Sequence, residues 1–306
     1  MHQTALSDEE LGTVQRLLDS VCAEHSGVDD RRLVELAPLY AQELPLRIRK
    51  FFVEFRAAQP SALCVLSGLP VDDEAVGPTP AASALDATRS PALHHEVFFL
   101  LCAALLGDVF PGGEPAEGRI MPDVVPDKGD QDGRLAASLS WRTEHPFGPF
   151  PTDYVGLLCL RNPDNVATAI CAADWVEWSQ VDVDLLFSAE YPTRVDEHDP
   201  HPSNRPVLFG DRGRPFLAVD PALVVREAMT PGPRAAFDAF VRAVDEALNG
   251  FVLWPGDMAF IDNLRAVHGH EPFEARHDGT DRWLKRLTIA RDLRRSESAT
   301  VHARRS

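Results

Sequence analysis

Cysteine is sparse, with Cys22, Cys64, Cys102, Cys159 and Cys171 scattered through 306 residues and no CxxC pair among them. Odd in number and widely spread, they predict neither a zinc knuckle nor a disulfide framework, but buried thiols in a reducing cytoplasm. Long apolar runs are missing too: no stretch approaches the roughly 20 residues a membrane-spanning helix needs. The opening MHQTALSDEE lacks the basic-then-apolar order of a secretory leader. Positive charge is outnumbered, with 30 Lys and Arg against 47 Asp and Glu and a formal net charge of −17. That balance leaves no broad basic surface to neutralise phosphates, so a nucleic-acid partner is not expected, nor a membrane. Arg291 to Arg295, with Arg304 and Arg305, alternate with acids and read as a solvated tail. Three nucleotide and hydrolase signatures are absent as well: there is no GxSxG elbow, no Walker loop and no GxGxxG after a strand.

What is present is enough apolar residue, 44% of the chain, to build one large domain over residues 1–306. Ser7 and Glu10 form a capping box ahead of Leu11, Val14, Leu17, Leu18 and Val21 at helical spacing. A second helical region is predicted from about Arg31 to Phe55, and a first strand over Leu63 to Leu69. Residues 71–90 read as a loop. Ser90-Pro91 then opens a strongly apolar helix that stops at Gly107. A helical region of about residues 1–107 is thus expected to pack on the remainder of the chain. Beyond residue 107 the texture changes to short apolar runs between Gly, Pro and Asp turns: Tyr154–Leu160, Phe216–Val219, Phe251–Trp254, Met258–Ile261 and Trp283–Ile289. One helix interrupts them, opened by Pro233 and closed by Gly250. Residues 190–215, polar and proline-rich, read as a long loop, and a loop of that length is usually functional or disordered.

Residues able to carry chemistry concentrate late in the chain. GDMAFIDNLRAVHGHEPFEARHDGTDRWLKR, from Gly256 to Arg286, holds His268 on a strand, then Arg282 and Arg286 four residues apart on an alternating strand. Upstream, Trp141-Arg142-Thr143-Glu144 precedes the strand ending at Arg161. Spacing alone does not identify an enzyme, because a lone strand His is more often structural. His198 and His201 make an HxxH in a polar loop, a weak metal signal.

Taken together, these blocks resemble the clavaminate synthase-like branch of the iron(II)/2-oxoglutarate oxygenases, nearest its arginine 3-hydroxylases. The family pattern Trp-His-Thr-Glu-Asp corresponds to Trp141-Arg142-Thr143-Glu144-His145, followed by Leu160-Arg161-Asn162-Pro163-Asp164. Phe260 to Gly269 and Asp281 to Arg286 match two later blocks, as do Glu43-Leu44-Pro45 and Leu106 to Phe110; the match is weakest over 170–215. The resemblance implies a mainly β fold with flanking helices (α+β) around a double-stranded β-helix, or jelly roll. It implies Fe(II) and 2-oxoglutarate as cofactors, with 2-oxoglutarate decarboxylated to succinate as an unactivated carbon of a small molecule is oxidised. That molecule would be a free amino acid or a relative, in specialised metabolism such as antibiotic biosynthesis. Glu144 and His268 would be two iron ligands of a facial triad. Arg282, helped by Thr168, would clamp the distal carboxylate of 2-oxoglutarate. Arg286 would hold the substrate α-carboxylate, Asp220 would face a cationic side chain, and the loop around Asp196 and Glu197 would form a lid.

The chain departs from the family in two places, the iron site and the substrate pocket. Arg142 stands where the first iron ligand should be His, and a guanidinium has no lone pair and stays charged. Residues two apart in an extended segment share a face, so Arg142 should point towards the same site as Glu144. A unit charge about 4 Å from Fe²⁺, at an effective dielectric near 20, costs roughly 8 kcal/mol. His145 is the adjacent candidate ligand, but strict alternation aims it at the opposite face unless a bulge or twist intervenes. In the substrate pocket, Ala222 replaces an expected Asp and Pro115 an expected Gln, which weakens the case for arginine itself. An oxygenase and a non-catalytic small-molecule-binding or partner protein on the same fold are therefore both carried forward. In the second, Arg142 would pair with Glu144 in place of iron.

Overall fold

Three apolar cores organise the chain. In the computed structural model the described residues are 1–81, 90–111, 119–126, 140–147, 152–188, 190–195 and 199–295. The helices are α1 (Asp8–Glu24), α2 (Arg31–Tyr40), α3 (Leu46–Ala58), α4 (Asp73–Val76), α5 (Leu93–Ala104), α6 (Val183–Leu186) and α7 (Pro231–Ala247). A larger sheet contains β1 (His2–Ala5), β2 (Leu63–Ser67), β3 (Asp108–Phe110), β4 (Asp123–Val124), β6 (Tyr154–Arg161), β13 (Met258–Asp262) and β15 (Trp283–Ala290). Its order is β1-β2-β13-β6-β15-β3, with β4 also on β15. A smaller sheet, ordered β12-β7-β14-β5, contains β5 (Ser140–Arg142), β7 (Thr168–Ala172), β12 (Asn249–Phe251) and β14 (Ala266–His270). Every pairing in these two sheets is antiparallel except β1 on β2.

Strand alternation sorts side chains between the cores. On β15, Trp283, Leu287 and Ile289 join the core under α1, α3 and α5, while Leu284 joins the core between the sheets. On β6, Tyr154, Leu158 and Leu160 take the helix side, and Val155, Leu157 and Cys159 face the smaller sheet. Gly156 falls on the helix side, where a Cβ would come within 2.7 Å of the Phe99 ring; its absence lets α5 press onto the sheet. Phe260 is met edge-on there by Phe52. The third core covers the outer face of the smaller sheet, where Trp141, Cys171 and Val267 pack with Phe237, Phe240 and Val244 of α7.

Local chemistry corrects several expectations. The helical region expected from Arg31 to Phe55 breaks at Leu44, which is extended (φ −60, ψ 150) because the residue before Pro45 avoids the helical region. The capping box at Ser7 and Glu10 is formed in full. The seventh helix begins at Pro231 rather than Pro233, a proline being well suited to the first turn, and ends at Ala247. Gly250 belongs to β12, paired with Ala169. Residues 190–215 are not one long loop: β8 (Tyr191–Thr193) pairs with β9 (Ser203–Arg205), and β10 (Leu208–Asp211) with β11 (Arg214–Leu217). The second hairpin turns where Asp211 Oδ1 accepts from the Gly213 backbone N–H. All five cysteines are buried and none is in a disulfide. Among the described residues no helix is long and apolar enough to cross a membrane.

Candidate functional site

Leu284 and Arg286 occupy one face of β15 and Lys285 the other, and Arg282, immediately before the strand, continues the alternation of Leu284 and Arg286. Lys285 Nζ reaches Glu96 of α5 at 2.9 Å and Asp123 at 2.7 Å, locking the strand to the helical side. The arginines are thereby directed into the space between the sheets. His268 follows Ala266, a member of the inter-sheet core, two residues along β14, so it enters the same space. Opposite it in register stands Arg142, and opposite Gly269 stands Trp141. A Cβ at Gly269 would lie 2.0 Å from the Ser140 carbonyl oxygen, so this glycine is what allows β5 to close on β14. From behind, α7 holds β5, with Trp141 Nε1 donating to Asp245 at 2.7 Å.

Glu144 follows β5 and is held by its backbone. Its N–H donates to Asn263 Oδ1 at 2.6 Å, and its carbonyl accepts from Asn263 Nδ2 at 3.0 Å. Asn263 Nδ2 also reaches the Thr152 carbonyl at 2.9 Å. Thr143 ties in the chain before Asp220: its N–H donates to the Val219 carbonyl at 2.8 Å, and its hydroxyl accepts from the Val219 N–H at 3.0 Å. Asn263 lay inside a motif block, yet its anchoring role could not be read there, because its partners are 119 and 111 residues away.

The Glu144 carboxylate is buried and meets three nitrogens: Arg286 Nη1 at 3.0 Å, His145 Nε2 at 3.5 Å and His268 Nε2 at 3.5 Å. Burial alone would raise its pKa, but Arg286, His268, His145 and Arg142 together hold it well below the ordinary carboxylate value. His145 does not follow strict alternation to the opposite face. Its φ of +45° is left-handed, which turns the ring back towards Glu144. Burial lowers its pKa, opposed by Glu144 and assisted by Arg286 and Arg142.

Arg282 is the most exacting group. It is 5% exposed, donates from Nη2 to Thr168 Oγ1 at 3.0 Å, and its buried Nε has no hydrogen-bond partner. Burial pushes its pKa down to about 10. No described carboxylate forms a salt bridge with it, and an unpaired buried guanidinium is costly. A ligand carboxylate would suit this guanidinium. Arg286 Nε and His268 Nδ1 are likewise buried without partners among the described residues. Arg142 is exposed and has no described carboxylate in salt-bridge range; the expected Arg142–Glu144 pair is not formed, and Arg286 takes that place. Asp220 is 9% exposed, with Oδ1 accepting from the Ala222 N–H at 3.0 Å.

For a metal, Glu144 and His268 are suitable donors and converge. Among the described residues, however, no group of three His, Cys, Asp or Glu is arranged to hold an ion. Of the HxxH, His201 is exposed and His198 lies outside the described residues, as do Pro115, Asp196 and Glu197.

Residues 165–288 match the family model described as taurine catabolism dioxygenase TauD, TfdA family. The L-ornithine/L-arginine 3-hydroxylase of Catenulispora acidiphila is 39% identical, with 97% of each chain covered. The chain belongs to the TauD/TfdA family. The enduracididine beta-hydroxylase of Streptomyces hygroscopicus, also similar, is 36% identical over 97% of each chain. The crystal structure of non-heme iron oxygenase OrfP in complex with Fe and alpha-ketoglutaric acid superposes with a TM-score of 0.88. It is 33% identical, with 97% of this chain and 96% of that one covered. The fold is accordingly that of a TauD/TfdA oxygenase, mixed sheets with packed helices. The family match begins after β5, so the segment carrying Arg142 and Glu144 lies outside it.

Proposed function

We propose that this TauD/TfdA member is an Fe(II)- and 2-oxoglutarate-dependent oxygenase that oxidises a C–H bond of a free amino acid in specialised metabolism. The observation that carries the reading is the buried Arg282, hydrogen-bonded among the described residues only to Thr168, in the same inter-sheet space as the Glu144–His268 pair. Three similar proteins are amino-acid oxygenases by name: hydroxylases of ornithine or arginine and of enduracididine, and an asparagine oxygenase. Arg282 and Thr168 would hold the distal carboxylate of 2-oxoglutarate, and Glu144 and His268 would hold iron. Bound iron with 2-oxoglutarate supplies oxygen activation, and the protein supplies placement. Asn263 fixes the Glu144 backbone, and Arg286 keeps the Glu144 carboxylate ionised. A substrate carboxylate would compete with Glu144 for Arg286, whose Nε remains free to donate. Asp220 would receive the substrate's polar or cationic end.

In this reading the facing sheets form a jelly roll, and the core shared by α1, α3, α5 and the larger sheet supports a single domain for the described residues. The hairpins over 190–215 act as its lid, Arg205 resting 5.3 Å over the Phe147 ring beside the site. Five buried thiols, none in a disulfide, suit a cytoplasmic setting. The test is anaerobic reconstitution with Fe(II), then 2-oxoglutarate, oxygen and a panel of free amino acids. Succinate should form, and one amino acid should gain one oxygen atom or lose two hydrogens. A protein that binds 2-oxoglutarate through Arg282 but yields no succinate with any of them would point to the second reading, a non-catalytic small-molecule-binding or partner protein. Arg142 beside a two-donor site favours that alternative.

A further inference from the structure

Resting on the cofactor reading above, we propose that Arg142 is itself a dicarboxylate-binding residue, and that it makes metal binding conditional on the dicarboxylate. The site contains two cations without a carboxylate partner among the described residues, Arg282 and Arg142, while Arg286 is engaged by Glu144. Both flank β14. Thr168, which orients Arg282, faces His270 on one side of the strand, and Arg142 faces His268 on the other. The two anchor points lie on the strands either side of β14, about 7 Å apart along it and roughly 10 Å apart across it, a span that two long arginine side chains can close onto the two ends of a five-carbon diacid.

The consequence for a metal follows from charge and donor count. With Glu144 and His268 alone, a dication has two protein donors and a guanidinium in register beside one of them. A dicarboxylate reverses both defects. Its far carboxylate satisfies Arg282, its near carboxylate neutralises Arg142, and its remaining oxygen atoms add donors. The dicarboxylate therefore binds first, and metal binds to the loaded protein. Linkage requires the coupling to be reciprocal, so metal tightens the dicarboxylate by the same factor.

The experiment is anaerobic titration of Co(II) and of Fe(II), each with and without 2-oxoglutarate, on wild type, Arg142→Met and Arg282→Met. Thermal melts confirm that each variant is folded. Wild type should bind 2-oxoglutarate without metal, and saturating 2-oxoglutarate should tighten metal by at least about 100-fold. Arg142→Met should weaken metal-free 2-oxoglutarate binding by about 10-fold and reduce the coupling. Equal metal affinity with and without 2-oxoglutarate in wild type overturns the proposal. So does an Arg142→Met protein whose metal-free 2-oxoglutarate affinity is unchanged. Failure of the underlying cofactor reading looks different: Arg282→Met would then bind 2-oxoglutarate as wild type does.

Discussion

Arg142 and His268 face each other across a ladder, and that register gives one residue an outsized effect. Exchanging the guanidinium for an imidazole removes a fixed positive charge and adds a lone pair beside the Glu144–His268 pair. Arg142→His should therefore raise dicarboxylate-free Fe(II) affinity by more than about 100-fold, read by equilibrium dialysis under argon. Turnover of 2-oxoglutarate to succinate without substrate should be the first activity gained. A wild type that already holds one tight iron in the absence of 2-oxoglutarate would show that Arg142 is not the obstacle. Arg282 calls for the complementary change. Its side chain is buried with one hydroxyl partner, so Arg282→Ala should weaken 2-oxoglutarate binding by about 100-fold or more by calorimetry. The same variant should fold well, because it removes an unpaired buried charge.

At the scale of elements, the site depends on β5 reaching β14 and on β15 being fixed to α5. Gly269→Ala would force a methyl group to within 2.0 Å of the Ser140 carbonyl oxygen, so β5 must separate. Metal and 2-oxoglutarate binding should both fall while the helical side stays folded, which amide exchange localised to β5 and β14 would reveal. Lys285→Met should cost about 3–5 kcal/mol in denaturant unfolding, since it leaves Glu96, at 2% exposure, without its cation, while Asp123 keeps Arg119 at 3.7 Å. Much of this level was legible in the sequence. The five apolar runs beyond residue 150 all contribute strand residues, and alternation over 282–286 separates Arg282 and Arg286 from Lys285. What escaped was short or depended on distant partners. β1 is four residues long and exists because β2 lies alongside it. The hairpins over 190–215 carry proline and polar residues that resemble a loop until their partner strands are seen. His145 escaped for another reason: the left-handed turn that reverses its direction leaves no mark in residue type.

For the whole molecule, acid and base act on opposed groups. Glu144 has a depressed pKa in the folded protein, so it adds stability above its unfolded value near 4.5, and that contribution is lost as the pH falls. Asp262 is the reverse case. Burial raises its pKa from 3.8 to about 6, against Arg265 and Arg291. The folded state then binds the extra proton between those values, so the charged form costs stability above about pH 6 and the cost is relieved as the pH falls. The size is roughly 3 kcal/mol at most. Asp262→Asn keeps an acceptor for the Leu264 N–H, at 3.2 Å in the wild type. It should melt a few degrees higher than wild type at pH 8 and show no gain at pH 4.

The sequence by itself determined the family, the strand-forming runs and the residue types of the site, because these rest on local pattern and on motif blocks long enough to be specific. It also exposed Arg142 as the departure that matters. Only the tertiary structure decided how those groups pair. Arg286, not Arg142, neutralises Glu144; His145 turns towards that carboxylate; Asn263 anchors it; and Arg282 is left with a single hydroxyl. Such pairings depend on side chains more than a hundred residues apart meeting between two sheets, where burial makes each unmatched charge costly. That penalty is a property of the assembled interior, and no segment of the chain carries it alone.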